Sequence, residues 1–146
     1  MNAEYISFWT FFQWFIRVQR INLPLKFFHF RVCLDLERAV LGQLGKQFIV
    51  INIAPRSGKS KMLEALAAWT MAMFPNAQLI YTSYSAELVV ERVRYIQFTM
   101  RQQWYRDMFG RARLGRIQQA LHFTTSAGGM IYGAESAGPS AARARA

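Results

Sequence analysis

The chain holds one cysteine, Cys33, in 146 residues. An internal disulfide and a four-cysteine zinc site are therefore excluded, and a reducing, cytosolic setting is the default. Histidine is almost as scarce: His29 and His122 are the only two, too few to assemble a metal-ligand cluster. Acidic residues number 8 against 18 lysines and arginines, giving a formal net charge of +10 and a sequence pI near 10.5. A field of that sign attracts polyanions, nucleic acid first, although the charge is spread along the chain and forms no polybasic run. No apolar run approaches the roughly 20 residues of a membrane span. The most aromatic stretch, Ile6 to Ile16 (ISFWTFFQWFI), does not read as a signal peptide either. Glu4 precedes it where positive charge is expected, and no small-residue cleavage site follows. Phe8, Phe11, Phe12 and Phe15 recur at helical spacing, which predicts an amphipathic helix packing on the core or on further protein, with an interfacial membrane helix as the alternative. No internal repeat is visible, and the length suits one domain with a core of its own.

What is present centres on residues 51 to 61, INIAPRSGKSK. The general phosphate-loop pattern is Gly, four residues, then Gly-Lys-Ser/Thr, between a strand and a helix. Gly58-Lys59-Ser60 supplies the end of that pattern, but Ile53 stands where the first glycine belongs. The flanks fit: Gln47 to Asn52 (QFIVIN) has the composition of a buried parallel strand, and Lys59 to Met73 carries apolar residues at helical spacing. In such a loop, backbone N–H groups at the helix start face phosphate oxygens, where the helix dipole also favours negative charge. Lys59 would contact the β- and γ-phosphates of ATP, and Ser60 would ligate Mg²⁺. The plainer alternative is a strand-to-helix turn with a solvated lysine.

Elsewhere, Glu4 to Arg20 reads as a helix ending before the Asn22-Leu23-Pro24 turn, and Phe27 to Leu44 as a second, with Gly45 near its end. Gln78 to Ser83 (QLIYTS) reads as another buried strand, so strand, helix and strand make a βαβ unit. Ser85 is a candidate cap for a long helix from Ala86 to about Arg106, with Arg92, Arg94 and Arg101 exposed. Arg111, Arg113 and Arg116 fall in a Gly-containing connection. Leu121 to Thr125 and Met130 to Tyr132 read as a hairpin across Ser126-Ala127-Gly128-Gly129. Ala134 to Ala146 (AESAGPSAARARA) has the composition of a disordered tail. The predicted fold class is α/β of the P-loop NTPase kind, a partial parallel sheet flanked by helices. It divides into a helical segment over 1–45, an ATPase core over 46–133 and a tail over 134–146.

Several of these pieces together resemble the ATPase domain of the tailed-phage terminase large subunit, the DNA-packaging motor protein. Ala54-Pro55-Arg56-Ser57-Gly58-Lys59-Ser60 is similar to that family's Pro-Pro-Arg-Ser/His-Gly-Lys-Ser/Thr loop, which explains the missing first glycine. Phe74-Pro75-Asn76 leading into Leu79 to Leu88 resembles the second strand and following helix start. Phe123 to Gly133 resembles a Thr-Thr-x-Gly-Gly hairpin, and Phe28-His29, Val32-Cys33 and Leu36-Glu37 resemble the segment before the motor strand. The resemblance implies that Pro55, Arg56, Ser57, Gly58, Lys59 and Ser60 bind ATP, with Ser60 on Mg²⁺. It also implies that Arg56 and Lys59 act on the phosphates and that Phe28 and His29 help enclose the adenine. For those two, the alternative is that aromatic stripes at helical spacing are more often core.

The resemblance further implies double-stranded DNA, a portal protein and a small terminase subunit as partners, no membrane, and a homo-oligomeric ring at full length in the cytoplasm of a bacterial host. The family also carries an acidic strand-end pair after the hairpin and a nuclease domain. Here Asp107 and Glu135 are the only carboxylates after Glu91. The expectation is thus an ATP-binding fragment whose pattern departs from the family near Ala134, through a lost reading frame or a split prophage gene. Two other readings stay open: another P-loop NTPase, helicase-like or a small kinase, and a non-catalytic basic DNA-binding module.

Overall fold

The structure is a computed structural model and describes residues 5–45, 48–110 and 113–136. The chain forms two compact units, Met1–Thr70 and Met71–Ala146.

The first unit is helical. Helix α1 spans Phe8–Val18, and α2 spans Phe27–Val40. The third helix, α3, spans Lys59–Met73 as its periodicity predicts, and its last three residues belong to the second unit. The start of α1 is fixed twice: Ser7 Oγ accepts from the Thr10 N–H at 3.2 Å, and Glu37 Oε1 of α2 accepts from the Phe8 N–H at 2.7 Å. The carboxylate also places negative charge at the positive end of the helix dipole. Past the end of α1, Arg20 turns left-handed at φ 52° and the Ile21 N–H bonds back to Ile16 O at 3.0 Å, satisfying carbonyls that the helix leaves open. The second helix stops at Val40, earlier than Leu44, because Gly42 takes φ 72° and reverses the chain. Phe8, Phe11, Phe12 and Phe15 are fully buried with Cys33, Ala65 and Trp69. The Trp69 indole donates to Ile6 O at 2.8 Å, so the largest side chain of this core is also satisfied as a donor.

The expected buried strand over Gln47 to Asn52 is corrected. Gln47 lies outside the described residues, and residues 48–54 form no strand. Phe48 and Val50 are 87% and 82% exposed. Composition gives strand propensity but not a ladder partner, and the first unit has no other strand among the described residues to pair with it. The βαβ unit expected around α3 is therefore absent.

The second unit holds the sheet. Strand β1 spans Gln78–Ser83, α4 spans Ala86–Arg101, α5 spans Gln103–Met108, and β2, β3 and β4 span Leu114–Gln118, His122–Thr125 and Met130–Glu135. The order is β1-β4-β3-β2. Only β1 and β4 run parallel, from Gln78 opposite Met130 to Ser83 opposite Glu135; β3 is antiparallel to β4, and β2 to β3. The sheet is mixed where a partial parallel sheet was expected: the predicted hairpin is built into the same sheet, and only β1 and β4 keep the parallel pairing. Helix α4 lies on the sheet through buried Val89, Val93 and Ile96, with Phe123 and Ile131 opposite. Gly133 makes that approach possible, since a Cβ there would stand 2.6 Å from Val89 and 3.0 Å from Val93.

Further expectations change as well. The long helix breaks at Gln102, whose ψ of 142° separates α4 from α5, and Arg92 is half-buried while Arg94 and Arg101 are exposed. Residues 114–118, read as a connection, form β2; LGRIQ has no clean alternation, and its pairing is bulged. At the other end, β4 runs through Ala134 and Glu135, into the stretch expected to be disordered, and Ser136 N–H continues onto Ser83 O at 2.7 Å. Residues 137–146 lie outside the described residues. Among the described residues, no helix is long and apolar enough to cross a membrane.

The Thr-Thr-x-x-Gly-Gly sequence of the hairpin has a physical reason. The Thr125 hydroxyl donates to Pro75 O and accepts from the Gly129 N–H at 2.9 Å, while Thr125 N–H bonds Gly129 O at 2.8 Å. The turn is thereby tied to the chain entering β1. A Cβ on Gly129 would lie 2.2 Å from Pro75 O and 2.8 Å from Ala77 O, both backbone atoms. Gly129→Ala is expected to lose about 2–4 kcal/mol in urea unfolding of this unit. Gly110→Ala, whose Cβ would meet nothing nearer than 4.0 Å, should be close to neutral. Equal effects at the two positions would contradict this account of the turn.

Candidate functional site

Residues 54–60 connect the irregular segment to α3. Pro55 is exposed, Arg56 sits at φ 61°, and Gly58 at φ 86°. Ser57 between them is not left-handed, so the backbone alternates in hand over three residues. Alternation of this kind turns successive N–H groups toward one side and makes a concavity suited to an anion. A left-handed arginine costs on the order of 1 kcal/mol relative to glycine, and such strain persists only where surrounding contacts impose it.

His29 of α2 is 1% exposed. Its Nδ1 accepts from the Lys26 N–H at 2.9 Å, capping α2, so the ring proton is on Nε2, which donates to Ser57 O at 2.9 Å. In a trans peptide the C=O and the next N–H point in opposite directions. Holding Ser57 O on the His29 side therefore aims the Gly58 N–H to the other side. Leu23 closes the space beside Gly58, with a methyl 2.4 Å from where a Cβ would be.

The helix start then contributes its own donors. Met62 N–H is the first to bond within α3, to Gly58 O at 2.9 Å. The N–H groups of Gly58, Lys59 and Ser60 meet no acceptor among the described residues. Lys59 is exposed and folds back, its Nζ donating to Ile53 O at 3.1 Å. A lysine that reaches the carbonyl six residues earlier shows that the chain curls around its ammonium. Lys61 behaves differently: its Nζ meets Glu64 at 3.2 Å, and that carboxylate is fully buried. The two neighbouring lysines are thus separated by role, one inside the helix surface and one over the loop.

Beside the loop lies a cavity of about 410 Å³, lined by Pro24, Lys26, Phe28, Ile53 and Arg56 among others. It offers an aromatic face and two cations. The structure thus brings Phe28, His29, Arg56 and Ser57 together around one cavity, with Gly58, Lys59 and Ser60 following at the helix start; Pro55 forms the exposed corner. His29 is a positioning residue for the loop, buried and doubly bonded. Lys26 and Leu23 were not singled out from sequence, although a histidine three residues past Lys26 has capping-box spacing. Among the described residues no group of three or more His, Cys, Asp or Glu could hold a metal. A Mg²⁺ ion here would have Ser60 as its protein ligand, with phosphate and water completing its shell.

Cys33 offers no second chemistry. Burial, reinforced by Glu37, pushes its thiol up to about 12, so it stays protonated and unreactive. Partial desolvation and the neighbouring Glu37 carboxylate push Tyr5 up to about 12.

Comparison with protein-family models, with curated proteins and with solved structures finds no match for this chain.

The raised thiol has a consequence for stability. Below the ordinary value of 9.0 both folded and unfolded thiols are protonated and the core is at full strength; above it the unfolded thiol ionises first, so stability falls until the folded value near 12. Chemical denaturation followed from about pH 8 to pH 11 should lose on the order of 2 kcal/mol through this group. Cys33→Ala should flatten that part of the decline, and an unchanged slope would contradict it.

Proposed function

We propose that this chain is the ATP-binding portion of a motor of the phage terminase type, in which the loop over Ala54 to Ser60 is a phosphate-binding loop of the P-loop NTPase class. One observation carries the reading: the Gly58, Lys59 and Ser60 N–H groups at the start of α3 meet no acceptor among the described residues, beside a left-handed Gly58 and a Lys59 that curls over the same loop. A solvated lysine in an ordinary turn has no reason to fold back onto the carbonyl of Ile53.

On this reading, the N–H groups of Gly58, Lys59 and Ser60 hold phosphate oxygens and the Lys59 ammonium exchanges its carbonyl for them. Ser60 holds Mg²⁺, and Mg·ATP supplies the phosphoanhydride that a motor cleaves. Arg56 lines the cavity and extends a planar guanidinium that can make paired bonds to phosphate. Phe28 presents the apolar wall against which a base can stack. The family's full-length proteins couple hydrolysis to movement of double-stranded DNA into a procapsid, and portal and small-subunit partners belong to that larger machine.

Binding and turnover separate here. Among the described residues, the first unit's carboxylates are Asp35, Glu37 and Glu64. Glu37 holds the start of α1, Glu64 is buried against Lys61, and Asp35 is exposed on α2. Glu37 and Glu64 are thus committed to structural roles, and hydrolysis should be slow while binding persists.

Fluorescent ATP titrated with Mg²⁺ tests the reading. Lys59→Ala should weaken binding tenfold or more, the equivalent of about 1.5–3 kcal/mol for a charged hydrogen bond. Arg56→Gly should weaken binding too, yet raise folding stability by about 1 kcal/mol, because glycine relieves the left-handed strain. Binding indifferent to Lys59 would sink the proposal, and fast hydrolysis by this chain would contradict the separation of binding from turnover.

A further inference from the structure

Strand β1 lies at one edge of the sheet, and nothing in its sequence guards that edge. Its residues, QLIYTS, include no charge and no proline, and its register against β4 runs without a shift. The other edge strand, β2, carries Arg116 and is bulged against β3. Charges and bulges are the means by which edge strands avoid pairing with another chain. Only β2 has them.

Two bonds fix the direction of each peptide in β1. Ala77 O accepts from the Met130 N–H at 2.9 Å and Ser83 O from the Ser136 N–H at 2.7 Å, so the odd-numbered residues turn their backbone groups toward β4. Alternation along the strand then points the N–H and C=O of Gln78, Ile80 and Thr82 away from the sheet. None of these groups meets a partner among the described residues. The same three side chains share a face. Gly133, opposite Tyr81, lies against Val89 and Val93 of α4, so Gln78, Ile80 and Thr82 are on the face turned away from that helix. Ile80 is 70% exposed there, opposite half-exposed Tyr132, and Tyr132 meets the His122 ring edge-on with centroids 5.8 Å apart.

We propose that two copies of this chain pair antiparallel through β1, about a two-fold axis at Ile80, joining two four-stranded sheets edge to edge. With Ile80 opposite its counterpart, Gln78 of each copy falls opposite Thr82 of the other. Each such pair exchanges both N–H···O bonds, so every outward group of both strands is used. A slide of two residues leaves Gln78 or Thr82 unmatched on both copies. A slide of one sets outward residues against residues whose groups face β4. The edge is thus complementary to itself in one register. Cα atoms of a hydrogen-bonded pair stand about 5.5 Å apart, which brings the two Ile80 side chains together. The row from His122 through Tyr132 to Ile80 then continues across the axis into the same row of the second copy. A foreign strand would supply the hydrogen bonds without that row.

A short strand edge buries less than the roughly 1,200 Å² of a stable complex, and a net charge of +10 on each copy opposes approach. The pair is therefore weak, with dissociation in the micromolar range. It closes on itself, unlike a head-to-tail ring. Every residue named for it belongs to the second unit, so the inference does not rest on the nucleotide reading.

Sedimentation velocity of the full chain, from about 1 to 300 µM, is the test. The weight-average mass should rise from one chain of 16.9 kDa toward two and stop there, and added salt should favour the pair. Ile80→Lys sets like charges opposite each other at the axis and should weaken association about tenfold or more. Because Ile80 is exposed, its thermal melting and its binding of fluorescent ATP should match the wild type. Ile117→Lys adds the same charge at an exposed position of β2 and should change association far less. Ile80→Cys checks the register: Cys33 is fully buried, so a short bis-maleimide should join two copies through residue 80. A single mass at every concentration would overturn the proposal. So would equal losses from the two lysine variants, growth beyond two chains, or no cross-link at residue 80.

Discussion

The geometry of the candidate loop depends on one imidazole. His29 accepts a backbone proton from Lys26 and donates its own to Ser57 O, so one buried ring ends the chain before α2 and orients the peptide that leads into α3. Both nitrogens are committed and the tautomer is dictated by its partners. Neither phenylalanine nor lysine could do both jobs. The left-handed backbone at Arg56, unfavourable by itself, becomes tolerable because its neighbouring peptide is held from outside. The N–H groups that follow are left with no acceptor among the described residues. In a folded chain, such groups mark either contact with solvent or a place for an anion.

The same economy of polar groups recurs in the second unit at the service of structure. Thr125 ties the hairpin turn to Pro75, and Gly129 is required because backbone carbonyls occupy the space beside it. A motif that could be read as a functional signature thus has a sufficient mechanical explanation. The outer edge of β1 differs, for there the backbone groups of Gln78, Ile80 and Thr82 meet no partner among the described residues.

How far the sequence could be read follows from what each signal encodes. Helix α3 from Lys59 to Met73, β1 from Gln78 to Ser83 and the hairpin across Ser126 to Gly129 are set by local periodicity and turn residues, and all three form, although β1, expected to be buried, alternates between exposed and half-buried residues and leaves Ile80 70% exposed. The segment after Gln47 failed because a strand needs a neighbour, and Phe48 and Val50 have none. The mixed order of the sheet, β2, and the break at Gln102 depend on pairing and packing between residues far apart in sequence. Within the candidate site, Gly58 and Lys59 stood out because their chemistry is tied to spacing. The bond from His29 to Ser57 joins residues 28 apart, and no local pattern announces it. Likewise Arg101, Arg106 and Arg113 are scattered charges until α4, α5 and the entry to β2 bring them to one cavity.

The central claim is that the peptide following Ser57 and the start of α3 form an anion cradle. Backbone amide NMR shifts of the labelled full chain, recorded while Mg·ATP is added, test it most directly. The account predicts the largest movements at Gly58, Lys59 and Ser60, with the imidazole Nε2 proton of His29 retained throughout. Shifts confined to other residues, or none at these three while ATP is demonstrably bound, would contradict it.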